Sequence, residues 1–332
     1  RLQAPGCKLV LLMSIFKKSD VRGRFPEQIN EGTAVKLAAA FGGLCGGGAV
    51  VLGGDSRESS PALMEACRKG LSDSGCPVLD AGVVTTPMLN FAKIRLGAAG
   101  SFMVTASHNP PDQNGLKPGL NHYPLPPEAM TAWKKASEAG SLPAAKKGSV
   151  SRIEVLDSYA ASLERHFGRG SLRVVLDPGG GAACGPAPEV FSRLGFRVEV
   201  VNGRPGLAFA DRPPDPVLPG VLTGLVAAVE RHGAHLGLAF DGDGDRMAAV
   251  DDRGQPLPTD LAMGLFARRI LREKKGGAVV FDVKMSQTVE DVVRQSGGKP
   301  LRCPTGQLNV VTWLREKGAV LAGEYSGHYV FP

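Results

Sequence analysis

The sequence predicts an α/β fold made of consecutive three-layer domains with mixed, largely parallel sheets. Short apolar strands alternate with helical patterns along the chain, which is typical of parallel α/β sheets. Loops rich in glycine and aspartate follow several of these strands, and ligands collect at this end of such sheets. The length of 332 residues exceeds that of one ordinary core and predicts two or three domains. We therefore expect the active site in a cleft between domains.

The first predicted domain covers residues 13–150 and contains two buried strands with a helix between them. Apolar runs predict the strands at Gly48–Gly53 and Gly100–Val104. Helical spacing over Ser59–Ser74, with a serine N-cap and a proline in the first turn, predicts the helix. The small residues and lysines of Leu142–Val150 indicate the boundary with the next domain.

The second predicted domain covers residues 151–252 and the third covers residues 253–332. Both repeat the pattern of apolar strand, loop and helix. In the second domain we expect strands at Leu172–Leu176, Phe196–Val201 and Leu236–Phe240, and helices ending at Leu194 and spanning Leu222–His232. In the third we expect helices at Thr259–Arg272, Ser286–Gln295 and Leu308–Glu316, and strands at Ala278–Phe281 and Ala319–Leu321. The proline-rich run Gly203–Gly220 predicts an extended loop.

Composition and charge limit the classes of function. Apolar residues make up 43% of the chain and charged residues 21%, as in soluble globular proteins. The net charge of +7 fits either a merely basic protein or one that attracts an anionic substrate. Nucleic acid is not an expected partner, because lysines and arginines are scattered and aromatic residues reach only 6%.

The cysteines and the N-terminal region favour a cytoplasmic location. The six cysteines include no C-x-x-C pair, and most lie within apolar stretches, as buried cysteines do. The apolar run Leu9–Phe16 is too short to span a bilayer and has no cleavage site of a signal peptide. We expect residues 1–12 to be an N-terminal extension before Met13.

An acidic loop with the sequence DGDGDR, directly after an apolar strand, indicates a metal site. Asp241, Asp243 and Asp245 alternate with glycines there. Three carboxylates this close repel one another unless a hard divalent cation neutralises them, and Mg²⁺ prefers such oxygen ligands. Arg246 and Asp252 at the sixth and twelfth positions exclude an EF-hand. A solvated acidic turn remains as the alternative.

The hexapeptide Thr105–Pro110 follows a buried strand and contains a candidate nucleophile, Ser107. A serine-hydrolase elbow is excluded, because Thr105 and Asn109 stand where G-x-S-x-G requires glycine. By itself the hexapeptide is also typical of an ordinary Asn-Pro turn. A dinucleotide site at Gly179–Cys184 is excluded as well, since a cysteine occupies the last glycine position of G-x-G-x-x-G.

Several motifs together resemble the α-D-phosphohexomutase superfamily, and within it the bacterial phosphomannomutase/phosphoglucomutase branch. The resemblance covers about residues 13–332. It rests on the order and spacing of TASHNP, DGDGDR and GEYSGH (Gly323–His328), together with Asp20–Gly23, Asn114–Lys117 and Asp282–Lys284. It implies the phosphohexomutase fold and a Mg²⁺-dependent interconversion of hexose 1-phosphate and hexose 6-phosphate, with mannose or glucose as the sugar. Phosphoglucosamine mutase is the alternative within the superfamily.

The resemblance also implies a role for each site residue. Ser107 would carry a phosphoryl group, and glucose or mannose 1,6-bisphosphate would serve as intermediate and activator. The implied ligands of Mg²⁺ are Ser107, Asp241, Asp243 and Asp245. The implied catalytic residues are Ser107, His108, Lys117, Arg22, Lys284 and Arg246, with Lys284 or His108 acting on the proton of the sugar hydroxyl. The implied substrate-binding residues are Glu324, Ser326, His328, Thr305, Gly306 and Gln307.

Two departures from the family pattern bear on activity. Gln307 stands where the branch usually has a histidine, and glutamine cannot shuttle a proton near neutral pH. The sequence ends at Pro332, whereas the family continues into a fourth domain that binds the distal phosphate. From this we expect a turnover at least about a hundredfold below that of a four-domain relative. A truncated phosphosugar-binding fragment with little turnover is therefore a further alternative.

The expected partner is a small phosphosugar, and neither nucleic acid nor a membrane is expected. We expect a monomer. The alternative is association through the third domain, because its last strand would lack following partners and leave apolar surface exposed.

Overall fold

Three sheets follow one another along the chain, and helices pack against each of them. The computed structural model describes residues 15–120, 124–140, 144–205, 209 and 212–332. In each sheet the central strands pair in parallel, and the strand pairing at one edge of the sheet is antiparallel. The predicted mixed, largely parallel α/β fold is therefore confirmed.

The first sheet has six strands in the order β1-β5-β4-β2-β3-β6. Its strands are β1 (Val21–Arg24), β2 (Val50–Gly54), β3 (Val78–Val83), β4 (Gly100–Val104), β5 (Gln113–Gly119) and β6 (Val150–Arg152). The accompanying helices are α1 (Glu31–Leu44), α2 (Ser60–Asp73), α3 (Thr86–Arg95) and α4 (Pro127–Ala139). The expected boundary after residue 150 falls inside β6, which pairs in parallel with β3.

An aromatic cluster fixes the helices on one face of this first sheet. The buried indole ring of Trp133 on α4 makes edge-on contacts with Phe41 on α1 and Phe102 on β4. Its Nε1 donates to the carbonyl oxygen of Leu37 at 2.8 Å, so the polar atom is satisfied as well. The strand ends that carry functional loops therefore rest on a closely packed core.

The second sheet has five strands in the order β11-β10-β9-β7-β8. Its strands are β7 (Arg173–Asp177), β8 (Arg197–Val200), β9 (Leu236–Phe240), β10 (Met247–Asp251) and β11 (Pro256–Leu257). Its helices are α5 (Leu156–His166), α6 (Pro186–Arg193) and α7 (Thr223–His232), with a 3₁₀ turn at Ala182–Cys184. The Gly179–Cys184 segment thus forms a turn and a short 3₁₀ helix.

The third sheet has four strands in the order β13-β12-β14-β15. Its strands are β12 (Ala278–Asp282), β13 (Lys299–Cys303), β14 (Leu321–Gly323) and β15 (Tyr329–Val330), and its helices are α8 (Thr259–Glu273), α9 (Gln287–Gln295) and α10 (Gln307–Glu316). Strand β14 begins two residues later than predicted, because the amide of Ala319 still closes α10 on the carbonyl oxygen of Leu314. Within the described residues, no helix is both long and apolar enough to cross a lipid bilayer.

Candidate active site

Three loops that follow parallel strands meet between the sheets. The serine loop (Thr105–Pro110) follows β4, the acidic loop (Asp241–Arg246) follows β9, and the GEYSGH loop (Gly323–His328) begins at the end of β14. The amide of Met247 donates to the carbonyl oxygen of Gly327 at 3.1 Å, which fastens the GEYSGH loop to the acidic loop. Loops from all three predicted domains therefore build one site.

Ser107 is buried and has the left-handed backbone conformation, with φ of 53°. Non-glycine residues adopt this conformation rarely, and the cost is accepted mainly at functional sites. The Ser107 Oγ donates to Asp241 Oδ2 at 2.7 Å, and the Ser107 amide donates to Thr105 Oγ1 at 2.8 Å. The candidate nucleophile thus lies directly against the acidic loop, as the order of the motifs suggests.

Glycines in the acidic loop permit this close approach. A Cβ atom on Gly242 would lie 2.4 Å from the carbonyl oxygen of Ser107, which no side chain allows. Gly244 has φ of +69°, a conformation that favours glycine. The glycines between the carboxylates are therefore needed both for the tight turn and for contact with the serine loop.

The carboxylates of Asp241, Asp243 and Asp245 form a cluster whose ligand oxygens lie within 4.8 Å of one another. Burial, together with the charges of Asp243 and Asp245, raises the pKa of Asp241 to about 8. Asp243 Oδ1 is buried and has no hydrogen-bond partner among the described residues. An orphaned oxygen and repelling carboxylates fit a hard divalent cation, so the residues present fit Mg²⁺.

Three predicted cationic residues surround the serine and acidic loops. Lys117 Nζ donates to Asp243 Oδ2 at 2.6 Å and to Asp245 Oδ2 at 2.9 Å. Although burial would raise the pKa of Asp245, Lys117 and His328 hold it well below its usual value. Arg22 Nη1 donates to the carbonyl oxygen of Ala106 at 2.9 Å. Arg246 Nε lies 4.0 Å from Asp241 Oδ2. The structure thus brings Lys117, Arg22 and Arg246 together around Ser107.

His108 is held in its neutral form beside the serine. Burial, together with the charges of Arg246 and Arg22, lowers the pKa of His108 to about 3. Its Nδ1 lies 3.3 Å from Ser107 Oγ. A neutral imidazole has one nitrogen free to accept a proton. The adjacent positions in the sequence therefore do not prevent this pair from making contact.

His328 links the GEYSGH loop to the acidic loop. Its Nε2 lies 2.9 Å from Asp245 Oδ1, and its Nδ1 lies 3.1 Å from Glu324 Oε2 and 3.0 Å from Ser326 Oγ. Burial would lower the pKa of His328, but Asp245 and Glu324 raise it to about 9. An imidazolium that donates to two carboxylates is the arrangement this favours. The sequence did not indicate this contact.

The remaining predicted residues lie farther from the serine. Lys284 is exposed in the loop after β12, and its side chain makes none of the hydrogen bonds found in the described part of the chain. Thr305, Gly306 and Gln307 line a cavity of about 570 Å³ that faces Phe16. Gln307 also borders a cavity of about 520 Å³ shared with Asp245 and His328. No contact in the described residues joins these four to Ser107.

Four residues near the site escaped the sequence analysis. Asp55 and Arg57 follow β2 and lie buried beneath the serine loop. Thr86, at the first turn of α3, donates its hydroxyl to Asp243 Oδ2 at 2.5 Å. The ring of Phe209 lies over the Arg57 guanidinium at 4.9 Å. The rule that functional residues follow strands would have found Asp55 and Arg57, whereas nothing local distinguishes Phe209.

Three consecutive α/β domains, with a buried serine beside a carboxylate cluster between them, characterise the class of protein. Sequence profiles described as phosphoglucomutase/phosphomannomutase, alpha/beta/alpha domains I, II and III match residues 13–141, 156–254 and 258–332. The chain belongs to the phosphoglucomutase/phosphomannomutase family. This confirms the resemblance inferred from the motifs.

Individual relatives agree with this assignment. A phosphomannomutase/phosphoglucomutase of Pseudomonas syringae is 35% identical over 326 residues, which cover 97% of this chain and 70% of the relative. A Methanothermobacter thermautotrophicus protein named "Probable phosphoglucosamine mutase" is 36% identical over 324 residues, covering 96% and 71%. The crystal structure of a Burkholderia thailandensis phosphoglucomutase/phosphomannomutase family protein superposes with a TM-score of 0.90 at 34% identity, covering 96% and 72%. The chain thus spans about 70% of the length of these relatives.

Proposed function

We propose that this protein is a phosphohexomutase that interconverts hexose 1-phosphate and hexose 6-phosphate, with Ser107 as the carrier of the phosphoryl group. One observation carries the proposal: Ser107 Oγ contacts Asp241 within a cluster of three carboxylates, and Lys117, Arg22 and Arg246 surround it. Phosphoryl transfer needs charge neutralisation and positioning above all. This arrangement of charges supports both.

The residues of the site would have different roles in phosphoryl transfer. Asp241, Asp243 and Asp245 would hold Mg²⁺, which supplies positive charge to the phosphoryl oxygens when it is bound. Lys117, Arg22 and Arg246 would add charge around the same group. When a sugar bisphosphate phosphorylates Ser107, the bond between phosphorus and sugar oxygen breaks as the bond to Oγ forms. The serine proton, which Oγ donates to Asp241 in this structure, passes to the departing sugar oxygen, and His108 lies 3.3 Å from Oγ as a candidate group near that oxygen.

The GEYSGH loop would bind the hexose. Glu324 and Ser326 offer an acceptor and a hydroxyl to sugar hydroxyls, and both now contact His328. Sugar binding therefore exchanges contacts within the loop for contacts with the ligand. Thr305, Gly306 and Gln307 border the neighbouring cavities and would extend the substrate site, with Gln307 as a hydrogen-bonding residue that moves no proton. Lys284 stays a candidate only for a residue that acts on the proton of the sugar hydroxyl.

Glucose or mannose phosphates are the proposed substrates, with the 1,6-bisphosphate as intermediate and activator. Glucosamine phosphate is a second candidate, favoured only by the 36% identity to the Methanothermobacter protein. A cytoplasmic setting is supported by the cysteines of the described residues, Cys45, Cys67, Cys76, Cys184 and Cys303, which form no disulfide.

Intact mass spectrometry tests the proposal directly. The chain is incubated with Mg²⁺ and glucose 1,6-bisphosphate, and we expect the mass of one phosphoryl group to be gained. A coupled assay with glucose 1-phosphate, mannose 1-phosphate and glucosamine 1-phosphate then ranks the substrates. A chain that gains no phosphoryl group from glucose, mannose or glucosamine 1,6-bisphosphate would refute the proposal.

A further inference from the structure

Arg57 lies beneath the serine loop with a fully buried side chain. A guanidinium has five N–H donors, and all five are used here. Its Nε donates to Asp55 Oδ2 at 3.0 Å. The other four N–H groups donate to backbone carbonyl oxygens of Ser107 at 2.7 Å, Asn109 at 2.8 Å, Pro110 at 2.7 Å and Gln113 at 2.9 Å. One side chain therefore organises the backbone of the whole serine loop.

Asp55 holds the other side of the same loop. Its Oδ2 accepts from Thr105 Oγ1 at 2.6 Å, and its Oδ1 accepts from Ser60 Oγ at 2.6 Å. Thr105 Oγ1 in turn accepts from the amide of Ser107. The amide of Ser107 is thus held through Thr105 and Asp55, and its carbonyl oxygen is held by Arg57. The peptide groups on both sides of Ser107, the residue with positive φ, are therefore fixed by hydrogen bonds.

Phe209 connects this network to the acidic loop. Its ring covers the Arg57 guanidinium at 4.9 Å. A Cβ atom on Gly242 would lie 2.9 Å from Phe209 Cζ as well as 2.4 Å from the Ser107 carbonyl oxygen. Arg57 and Gly242 therefore both adjoin the carbonyl group of Ser107, and Phe209 lies against both of them. The positions of the serine loop and the acidic loop are set relative to each other at this point.

We propose that Arg57 is a positioning residue that holds Ser107 in its left-handed conformation and so directs Oγ towards the acidic loop. A buried ion pair costs desolvation energy and is weak evidence for stability. The donors of Arg57 instead fix Ser107 in its left-handed conformation. The position of Ser107 must be precise, because a displacement of about 1 Å can cost about a hundredfold in rate. The consequence for phosphoryl transfer rests on the proposed function, whereas the conformation of Ser107 does not.

Arg57→Lys is the first test variant, because lysine keeps the charge but has only three donors on a flexible stem. We expect the rate of Ser107 phosphorylation by glucose 1,6-bisphosphate to fall about a hundredfold. The bisphosphate concentration for half-maximal rate should stay within about threefold, because none of the described contacts joins Arg57 to the GEYSGH loop. Arg68→Lys is the matched control: Arg68 pairs with Asp80 in the same domain without touching the serine loop, and its rate should not change.

A milder pair of variants covers the case in which Arg57→Lys does not fold. Thr105→Val removes the hydroxyl that joins Asp55 to the Ser107 amide, and Thr105→Ser retains it. We expect the valine variant to lose about tenfold in phosphorylation rate and the serine variant to keep the wild-type rate. Equal rates in these two variants would contradict the proposal.

A crystal structure of Arg57→Lys, or of Thr105→Val, tests the conformational claim without any assay. We expect Ser107 to leave the left-handed region and its Oγ to move away from Asp241, while the rest of the sheet stays in place. A Ser107 that keeps positive φ would overturn the inference. A wild-type chain that is not phosphorylated at all would refute the proposed function, and the crystal structure would still decide the role of Arg57.

Discussion

The serine loop and the GEYSGH loop both adjoin the acidic loop, and each carries a histidine, yet their electrostatics are opposite. His108 is buried near the positive charges of Arg246 and Arg22, and together these lower its pKa to about 3. His328 lies between Asp245 and Glu324, and its pKa rises to about 9. One loop therefore places a neutral imidazole beside Ser107. The other presents a cation that neutralises carboxylates.

The two loops also differ in what holds them. The serine loop is fixed from below by the buried pair of Asp55 and Arg57, which no ligand would replace. The GEYSGH loop is held through hydrogen bonds of His328, Glu324 and Ser326, the same groups that would meet a sugar. The proposed nucleophile is therefore held by contacts that a ligand leaves in place, whereas the proposed sugar site has contacts that binding can exchange.

Ser107→Ala should have the largest effect of the substitutions that test this difference between the two loops. Removing Oγ should abolish the mass gain with glucose 1,6-bisphosphate, because no other described hydroxyl in the site contacts both Asp241 and His108. Ser326→Ala, the matched change in the GEYSGH loop, should still gain one phosphoryl group. Phosphorylation of the alanine variant at the wild-type level would mean that the nucleophile lies elsewhere.

Asp243→Asn should reduce the affinity for Mg²⁺ by about 10- to 100-fold. The change replaces a charged ligand whose buried Oδ1 has no other partner among the described residues. Isothermal titration calorimetry measures the affinity, with Asp252→Asn, an exposed residue just beyond β10, as the control. Equal affinities in the two variants would show that the carboxylate cluster is not the metal site.

Glu324→Gln should weaken binding of a hexose phosphate by about tenfold, the scale of one charge-assisted hydrogen bond. The affinity for Mg²⁺ should change little, because none of the described hydrogen bonds joins the Glu324 carboxylate directly to the acidic loop, and His328 lies between them. Both affinities can be measured by calorimetry on the same sample. A parallel loss of both would assign Glu324 to the metal site and remove the distinction drawn between the loops.

His328→Gln should destabilise the folded protein, and that effect should depend on pH. Because the folded pKa is raised, protonated His328 contributes its full stabilisation below the ordinary histidine pKa of about 6.5, and this is lost as pH rises through about 9. The contribution is at most about 3 kcal/mol.

Urea unfolding in the presence of a chelator measures this contribution of His328 to stability. The difference in free energy of unfolding between wild type and His328→Gln should shrink from about pH 6 to about pH 9.5. His166→Gln, on the exposed end of α5, is the control. A difference that does not vary with pH would mean that His328 is not charged between its carboxylates.

Local patterns in the sequence predicted about half of the strands and helices in the described residues, and β1, β3 and β5 are among those that were not predicted. Strand β4 at Gly100–Val104 and strand β9 at Leu236–Phe240 lie where the apolar runs predict them. Helix α2 begins at Ser60 with a proline in its first turn, as the capping pattern indicates. These elements are encoded by residues within a few positions of each other. Strand β14 was misplaced by two residues because a helix-ending hydrogen bond is decided by packing.

The sequence by itself determined which residues stand at the ends of parallel strands, and therefore that Ser107 and the three aspartates would meet. Only the tertiary structure decided the charge of His108 and His328, because the pKa of each depends on groups from other domains. It also decided the role of Arg57, whose four carbonyl acceptors lie 50 to 56 positions away along the chain. Strand ends follow from local periodicity, whereas burial, electrostatic neighbours and long-range hydrogen bonds arise only when the chain has folded.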